Sequence, residues 1–275
     1  MPDLILSPQV FAILTGLIAE RVGLSYTQSE KPIFDAKASA RAIEAGFDSM
    51  LDYYYFLRYD DPEQREFQRL VEALVVHETF FFRELGPLEV AVAQFVAPRV
   101  AEGGTARVWC AACATGEEPV TLAMLLEESA LSGRVQLVAS DVSESALRRA
   151  RSGKFSPRAL RQGREHPLAS RYLERSAAEL TASPALLAGI DFRRINLTDN
   201  EAVQKLGSFD LIVCRNVLIY FGDQHARQVV DQLTELLAPG GAILVGVSES
   251  LMRFGTKLVC EERGGVFFYR RQSPA

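Results

Sequence analysis

The chain has 275 residues, 48% hydrophobic and 24% charged, with a formal net charge of −5. That composition is ordinary for a globular protein and can bury one large or two modest cores. No uninterrupted apolar stretch reaches the roughly 18 residues of a membrane span, and no leader pattern opens the chain. Direct membrane insertion is therefore not expected, and the cytoplasm is the expected location.

Residues 1–76 read as a small all-helical domain: Ser7-Pro8 opens one helix, 31–46 holds a second and 62–76 a third. This part carries the acidity, with seven Lys/Arg against twelve Asp/Glu, whereas 77–275 holds 23 of each. His77-Glu78-Thr79-Phe80-Phe81-Phe82-Arg83 follows, too aromatic and too charged for ordinary linker, and Gly86-Pro87 and Gly103-Gly104 punctuate the path out of it. From 105 short apolar runs alternate with amphipathic helices. Strands are expected at 107–111, 135–140, 190–195, 209–214 and 242–247, with helices at 119–128, 143–151 and 223–237. Near-continuous apolar strands separated by helices predict a mostly parallel sheet covered on both faces, ending in an antiparallel hairpin of 257–261 and 266–270. Residues 153–188 interrupt the rhythm and read as an inserted substructure.

Two features have bland readings. Cys110 and Cys113 form a CxxC spacing, but no second pair accompanies them, so buried free thiols are expected rather than zinc or redox chemistry. Residues 148–175 carry Arg148, Arg149, Arg151, Lys154, Arg158, Arg161, Arg164, Arg171 and Arg175 against Glu165 and Glu174. This is either a solvated basic face or a partner surface.

In an open parallel sheet, ligands bind beyond the carboxyl ends of the strands where the strand order reverses. The first strand runs into Ala114-Thr115-Gly116-Glu117-Glu118-Pro119. Gly116 suits a tight turn and close approach of a ligand, and Pro119 the first turn of the next helix. One glycine stands where the dinucleotide fingerprint has three, which argues against NAD or FAD, and Glu117 would repel a phosphate. The second strand ends at Asp141, placed to accept hydrogen bonds from both hydroxyls of a ribose. The alternative is that Asp141 or Ser143 simply caps the next helix, and Gly116 upstream favours the ribose. A phosphate-free adenosine ligand whose other end is a sulfonium and an amino acid is S-adenosylmethionine.

These blocks resemble the chemotaxis receptor methyltransferases of the CheR type, whose pattern runs N-E-T-x-F-F-R, W-S-A-A-x-S-T-G-E-E-P-Y-S, A-T-D-I-S, A-R-x-G-x-Y, an N-L pair, F-D-x-I-x-C-R-N-V-L-I-Y-F and G-H-S-E-S. Here they fall at 77–83, 109–121, 139–143, 150–155, 196–197, 209–221 and 246–250. The resemblance covers about 77–270 and implies a Rossmann-like class I methyltransferase sheet over 105–275, with 77–104 as linker and cofactor lid. It also implies S-adenosylmethionine as cofactor, S-adenosylhomocysteine as product, and glutamates in the cytoplasmic helical region of chemoreceptors as acceptors, with no nucleic-acid partner. Carried over position by position, His77, Thr79 and Arg83 meet the methionine end, Glu117 its amino group, Asp141 the ribose, and Asn196 and Leu197 the adenine. Arg215 and Asn216 complete the pocket floor. Arg83 and Tyr220 are candidates at the reacting centre.

The chain also departs from the pattern. His77 replaces asparagine, which would give binding a pH dependence near about 6.5, and Cys110, Cys113 and Val120-Thr121 replace the family's residues. Val247 stands in place of a histidine, and residues 1–76 are acidic where well-known members present basic residues. The stretch 172–192 lacks the glycine-containing turn of a strand-pairing site, so docking of a receptor tail peptide is not expected. These departures keep a second reading open, an S-adenosylmethionine-binding interaction module with weak or no turnover.

Overall fold

A computed structural model of the chain describes residue 4 and residues 6–161 and 166–271. The chain divides into two compact units, Met1–Val76 with Tyr220–Ala226, and His77–Ile219 with Arg227–Ala275.

The first unit is helical, with α1 (Pro8–Val22), α2 (Lys31–Glu44), α3 (Met50–Tyr55) and α4 (Arg65–Leu74), and a π-helical turn, Phe56–Asp60, after α3. The Ser7 hydroxyl accepts the Val10 N–H at 3.2 Å to open α1, and Gly23, at φ +75°, ends it. α3 went unseen in the sequence because its six residues are too few to display a helical period. Phe11, Leu14, Ile18, Phe34, Leu57, Phe67 and Leu70 are among its buried core residues. Glu66 is buried among them, held by the Arg41 guanidinium at 2.5 and 3.0 Å and by the Tyr53 hydroxyl at 2.9 Å. Burial and that carboxylate push the Tyr53 hydroxyl well above its usual range. The segment 220–226 joins this unit through the Ser25 N–H, which donates to the Tyr220 carbonyl at 2.9 Å, and through an antiparallel bridge of Leu24 with Phe221.

The second unit begins with α5 (Leu85–Ala91), a π-helical turn Val92–Val96 and α6 (Ala97–Ala101). The alternating part follows as β1 (Ala106–Ala111), α7 (Glu117–Glu128), β2 (Val135–Asp141) and α8 (Glu144–Ser152). Next come β3 (Lys154–Phe155), α9 (Pro167–Tyr172), β4 (Leu173–Arg175), β5 (Leu180–Ala182) and α10 (Pro184–Ala188). The chain then continues through β6 (Ile190–Arg194), α11 (Asn200–Gln204), β7 (Phe209–Cys214), α12 (Asp223–Glu235) and β8 (Leu237–Leu244). It closes with β9 (Leu258–Arg263) and β10 (Val266–Arg271).

Seven strands form one sheet in the order β6-β2-β1-β7-β8-β10-β9. The first five are parallel and β10 runs antiparallel to both neighbours. This is the expected mostly parallel, Rossmann-like sheet with its terminal antiparallel hairpin. The chain moves outward from β1 to β2 and β6, then returns to the other flank of β1, so the order reverses between β1 and β7. Their carboxyl ends are Ala111 and Cys214.

Three local differences from the sequence reading have physical causes. Residues 85–101, inside the stretch read as linker, are helical, and Leu88, Ala91, Val92, Phe95 and Val96 belong to the sheet's buried core. β8 starts at Leu237 rather than 242, because a register irregularity between Phe209 and Leu211 lets the Pro239-Gly240-Gly241 stretch stay in the ladder. The inserted region forms its own antiparallel sheet, β3-β5-β4, without the glycine turn. There the Ser176 hydroxyl accepts the N–H groups of Ala178 and Glu179 and donates to the Glu179 carbonyl, replacing what a glycine would have supplied by conformation.

Among the described residues no helix is long and apolar enough to cross a membrane.

Candidate functional site

The loop after β1 is built on backbone that side chains rarely adopt: Ala112 has φ +57°, Ala114 +48° and Gly116 +96°. Alternating left-handed residues fold the chain back so that the Cys113 N–H reaches the Ser140 carbonyl at 2.8 Å and the Gly116 N–H the Cys113 carbonyl at 3.0 Å. Gly116 is demanded by more than its φ. A Cβ there would lie 2.6 Å from the Ala150 Cβ of α8. The glycine therefore lets a helix approach the loop, a role distinct from the close approach of a ligand anticipated for it.

Two carboxylates converge on this loop. Asp141, at the end of β2, accepts the Ala114 N–H with Oδ2 at 2.8 Å and the Ser143 N–H with Oδ1 at 2.9 Å. The capping of α8 belongs instead to Ser143, whose hydroxyl accepts the Ala146 N–H at 3.1 Å. Asp141 is therefore not the cap of α8; its carboxylate is held by backbone N–H groups. Burial pushes its carboxyl up from the usual range, opposed by those N–H groups and by the nearby His77. Glu117, first residue of α7, is also buried and accepts the Thr115 hydroxyl at 2.6 Å. Desolvation raises its pKa as well, against the Thr115 hydrogen bond and the charge of Arg149. A site with two desolvated acids favours a ligand that brings a cation and hydroxyl donors.

The segment 77–83 is fastened to the inserted region. The Phe81 N–H donates to the Ala159 carbonyl at 2.8 Å, and its buried ring packs edge-on against Phe155 at 4.9 Å. Phe82 stacks on His166 at 4.5 Å, and Phe80 lies under the Arg161 guanidinium at 3.8 Å. His77 and Thr79 are half-buried. The Arg83 guanidinium donates to the Glu78 carbonyl at 3.1 Å and sits 5.6 Å from the Phe80 ring. No carboxylate among the described residues pairs with it, which leaves its charge for a ligand.

Arg215 has a different character from the one expected. Its side chain is fully buried, with Nη1 on Glu118 at 2.9 Å and Nη2 on Glu84 at 2.9 Å and on the Arg83 carbonyl at 2.8 Å. The guanidinium's terminal nitrogens are spent on the protein. Asn216 follows at φ +57°, its N–H given to Glu249. Asn196 folds its own loop, Oδ1 accepting the N–H and hydroxyl of Thr198 at 3.1 and 2.9 Å, and Leu197 beside it is buried. Tyr220 belongs to the first unit.

Glu84, Glu118 and Glu249 went unrecognised in the sequence. Glu118 was present in the Glu-Glu-Pro block, but which of two adjacent acids meets the Arg215 cation depends on the phase of α7. Cys110 donates its S–H to Glu118 at 3.0 Å, and Cys113 is buried beside it. Burial holds both thiols well above their ordinary pKa, as suits structural thiols. No metal-holding group of acids, cysteines and histidines occurs among the described residues. Four cations of the basic run are paired at the surface: Arg151 with Glu144, Lys154 with Glu179, Arg161 with Glu78 and Arg171 with Glu128. Arg164 and Glu165 lie outside the described residues.

Residues 77–263 match the family model described as CheR methyltransferase, SAM binding domain. Chemotaxis protein methyltransferase 2 of Vibrio cholerae is 29% identical over 261 residues, covering 93% of this chain and 90% of that protein. Chemotaxis protein methyltransferase 1 of Pseudomonas aeruginosa is 36% identical over 194 residues, covering 67% of this chain and 70% of that one. Among solved structures, TrmN from Thermus thermophilus superposes with a TM-score of 0.39 at 19% identity, over 66% of this chain and 48% of that chain.

Replacing Arg215 by leucine strands two carboxylates around an apolar side chain. Urea unfolding is expected to show a loss of about 3–5 kcal/mol. A loss below about 1 kcal/mol would mean that Glu84 and Glu118 reach water and that the triad does not organise the site.

Proposed function

Because the chain belongs to the CheR methyltransferase family, we propose that it transfers the methyl group of S-adenosylmethionine to glutamate side chains in the cytoplasmic helical region of chemoreceptors. The products are glutamyl methyl esters and S-adenosylhomocysteine, the reaction serves chemotactic adaptation, and the enzyme works in the cytoplasm. The observation that carries this reading is the pair of buried carboxylates, Glu117 at the start of α7 and Asp141 at the end of β2, that converge on one strained, glycine-bearing loop inside the matched domain. Their chemistry fits the cofactor: a buried acid suits the methionine ammonium, and an acid at the end of β2 with spare lone pairs suits two ribose hydroxyls.

The remaining assignments follow the family pattern. His77, Thr79 and Arg83 attend the methionine end, Arg83 offering its unpaired guanidinium to a carboxylate. Asn196 and Leu197 border the adenine, and Asn216 forms the floor with Arg215 holding it from behind. The cofactor supplies an electrophilic methyl group on a sulfonium. The acceptor glutamate, with an ordinary pKa near about 4.3, is already anionic at neutral pH, so no strong general base is needed. The protein's contribution is alignment and exclusion of water. Arg83 or another arginine near the mouth steers the incoming carboxylate.

The second reading is a cofactor-binding module with weak or no turnover. It draws on Val247, 72% exposed where the pattern has histidine, and on the acidic first unit. Purified protein given labelled S-adenosylmethionine and a receptor cytoplasmic fragment is expected to yield base-labile label. Base-stable label would move the acceptor away from carboxylates, and cofactor binding without transfer would favour the module.

Asp141→Ala is expected to weaken S-adenosylhomocysteine binding at least tenfold, about 1.4 kcal/mol or more. Unchanged affinity would sink the ribose contact. Glu117 and Asp141 also set a pH dependence. Both pKa values are raised in the free protein, so both groups favour the folded state most below the unfolded carboxylate range, and that contribution is lost as pH rises through the folded values. An ammonium ligand has the opposite preference, for ionised Glu117. Affinity should therefore fall as pH drops through the raised Glu117 value, with protons released on binding in that window, readable by calorimetry in buffers of different ionisation enthalpy. Glu117→Gln should flatten this slope.

A further inference from the structure

We propose that Glu249 is a positioning residue for this reaction, one side chain that holds the loop after β7 in its cofactor-binding conformation by tying it to the loop after β8. Its carboxylate accepts four backbone N–H groups. Oε1 takes Val217 at 3.1 Å and Leu218 at 3.0 Å, and Oε2 takes Asn216 at 2.5 Å and Gly246 at 2.9 Å. Three consecutive N–H groups, 216–218, point at one anion, the arrangement of a backbone nest. Left without it, they would need water or another acceptor, since buried donors are costly to leave unmade.

The fit is tight on both sides. Glu249 closes its own turn, its N–H donating to the Gly246 carbonyl at 2.8 Å. A Cβ on Gly246 would lie 2.6 Å from Asn216 Nδ2 and 3.0 Å from Glu249 Oε2, so a side chain there pushes the Asn216 amide aside where the two loops meet. The same strap is tied at a second point, where the Val247 N–H donates to Glu84 Oε2 at 3.2 Å, and Glu84 also holds Arg215. Asn216 itself sits at φ +57°, a conformation that asparagine tolerates but must be held in. Glu249 supplies that hold at a position just after the carboxyl end of β7, beside the point where the strand order reverses.

The inference rests on the proposed cofactor site, and its test separates the two. S-adenosylhomocysteine is titrated calorimetrically into the wild-type chain, Glu249→Gln, Gly246→Ala and Arg107→Ala. Glutamine keeps the shape but turns an NH₂ toward two of the four donors. Gly246→Ala leaves Glu249 intact and displaces Asn216. Arg107 lies at the start of β1, bonded to the carbonyls of Leu206 and Ser208 at the far end of the strands, and serves as a stability control. Glu249→Gln and Gly246→Ala, at a temperature where they are folded, are expected to bind at least tenfold more weakly, with faster amide exchange at 216–218. Arg107→Ala is expected to bind like wild type, whatever its melting temperature. In turnover, KM for S-adenosylmethionine should rise tenfold or more in Glu249→Gln with kcat within about threefold. No binding by the wild-type chain removes the site reading and this inference with it. Wild-type binding that persists unchanged in folded Glu249→Gln or Gly246→Ala, or that weakens equally in Arg107→Ala, removes this inference alone.

Discussion

The guanidinium of Arg215 has no solvent exposure, and its two terminal nitrogens are taken by carboxylates from distant parts of the chain, Glu84 and Glu118. A buried cation is costly unless it is paired and hydrogen-bonded, so the elements that carry those acids cannot drift without leaving a charge uncompensated. Arg215 follows β7, Glu118 lies in the first turn of α7 and Glu84 stands at the entrance to α5. One side chain thus fixes the strand at the reversal point, the helix after the first loop and the end of the aromatic segment relative to one another. Glu249 extends the same device, using a carboxylate and backbone N–H groups instead of two side-chain charges.

Adjacent acids in α7 do opposite work because successive residues of a helix point about 100° apart. Glu118 turns inward to a permanent cation. Glu117 turns to the strained loop, where the Thr115 hydroxyl is its hydrogen-bond partner and burial raises its pKa. The helix N-terminus favours both charges, yet Glu117 remains the acid whose desolvation is not offset by an ion pair among the described residues. Its cost in the free protein is a reserve of affinity for a cationic ligand, which regains it on binding. Asp141 shares this character, with two backbone N–H groups and His77 softening the cost.

Charge along the chain and charge in space diverge. The stretch 148–175 is the most basic in the sequence, but four of its cations find acids at 78, 128, 144 and 179. Much of the apparent basic face is local neutralisation, partly exposed and worth little stability pair by pair. It fastens the inserted sheet and the aromatic segment instead: Arg161 both covers Phe80 and pairs with Glu78. What this stretch presents to solvent therefore differs from what its charge pattern along the sequence suggests.

The alternation of apolar runs with amphipathic helices determined the parallel sheet, because a strand buried on both faces must be apolar throughout and its crossover helix must be two-faced. The ordered blocks from His77 to Ser250 likewise determined the family and the cofactor. Short elements escaped, since α3 and the turn at Ser176–Glu179 have too few residues to show a period and rely on side-chain hydrogen bonds in place of glycine. Roles within a motif escaped for a related reason. That Gly116 makes room for Ala150 and that Arg215 faces the protein interior depend on residues dozens of positions away, while the capping of α8 by Ser143 rather than Asp141 rests on a single local hydrogen bond to Ala146. Sequence carried the chemistry available to the site. Which acid is spent on a fixed partner and which is kept for the ligand was decided by burial and hydrogen-bond geometry, which exist only once the chain has folded.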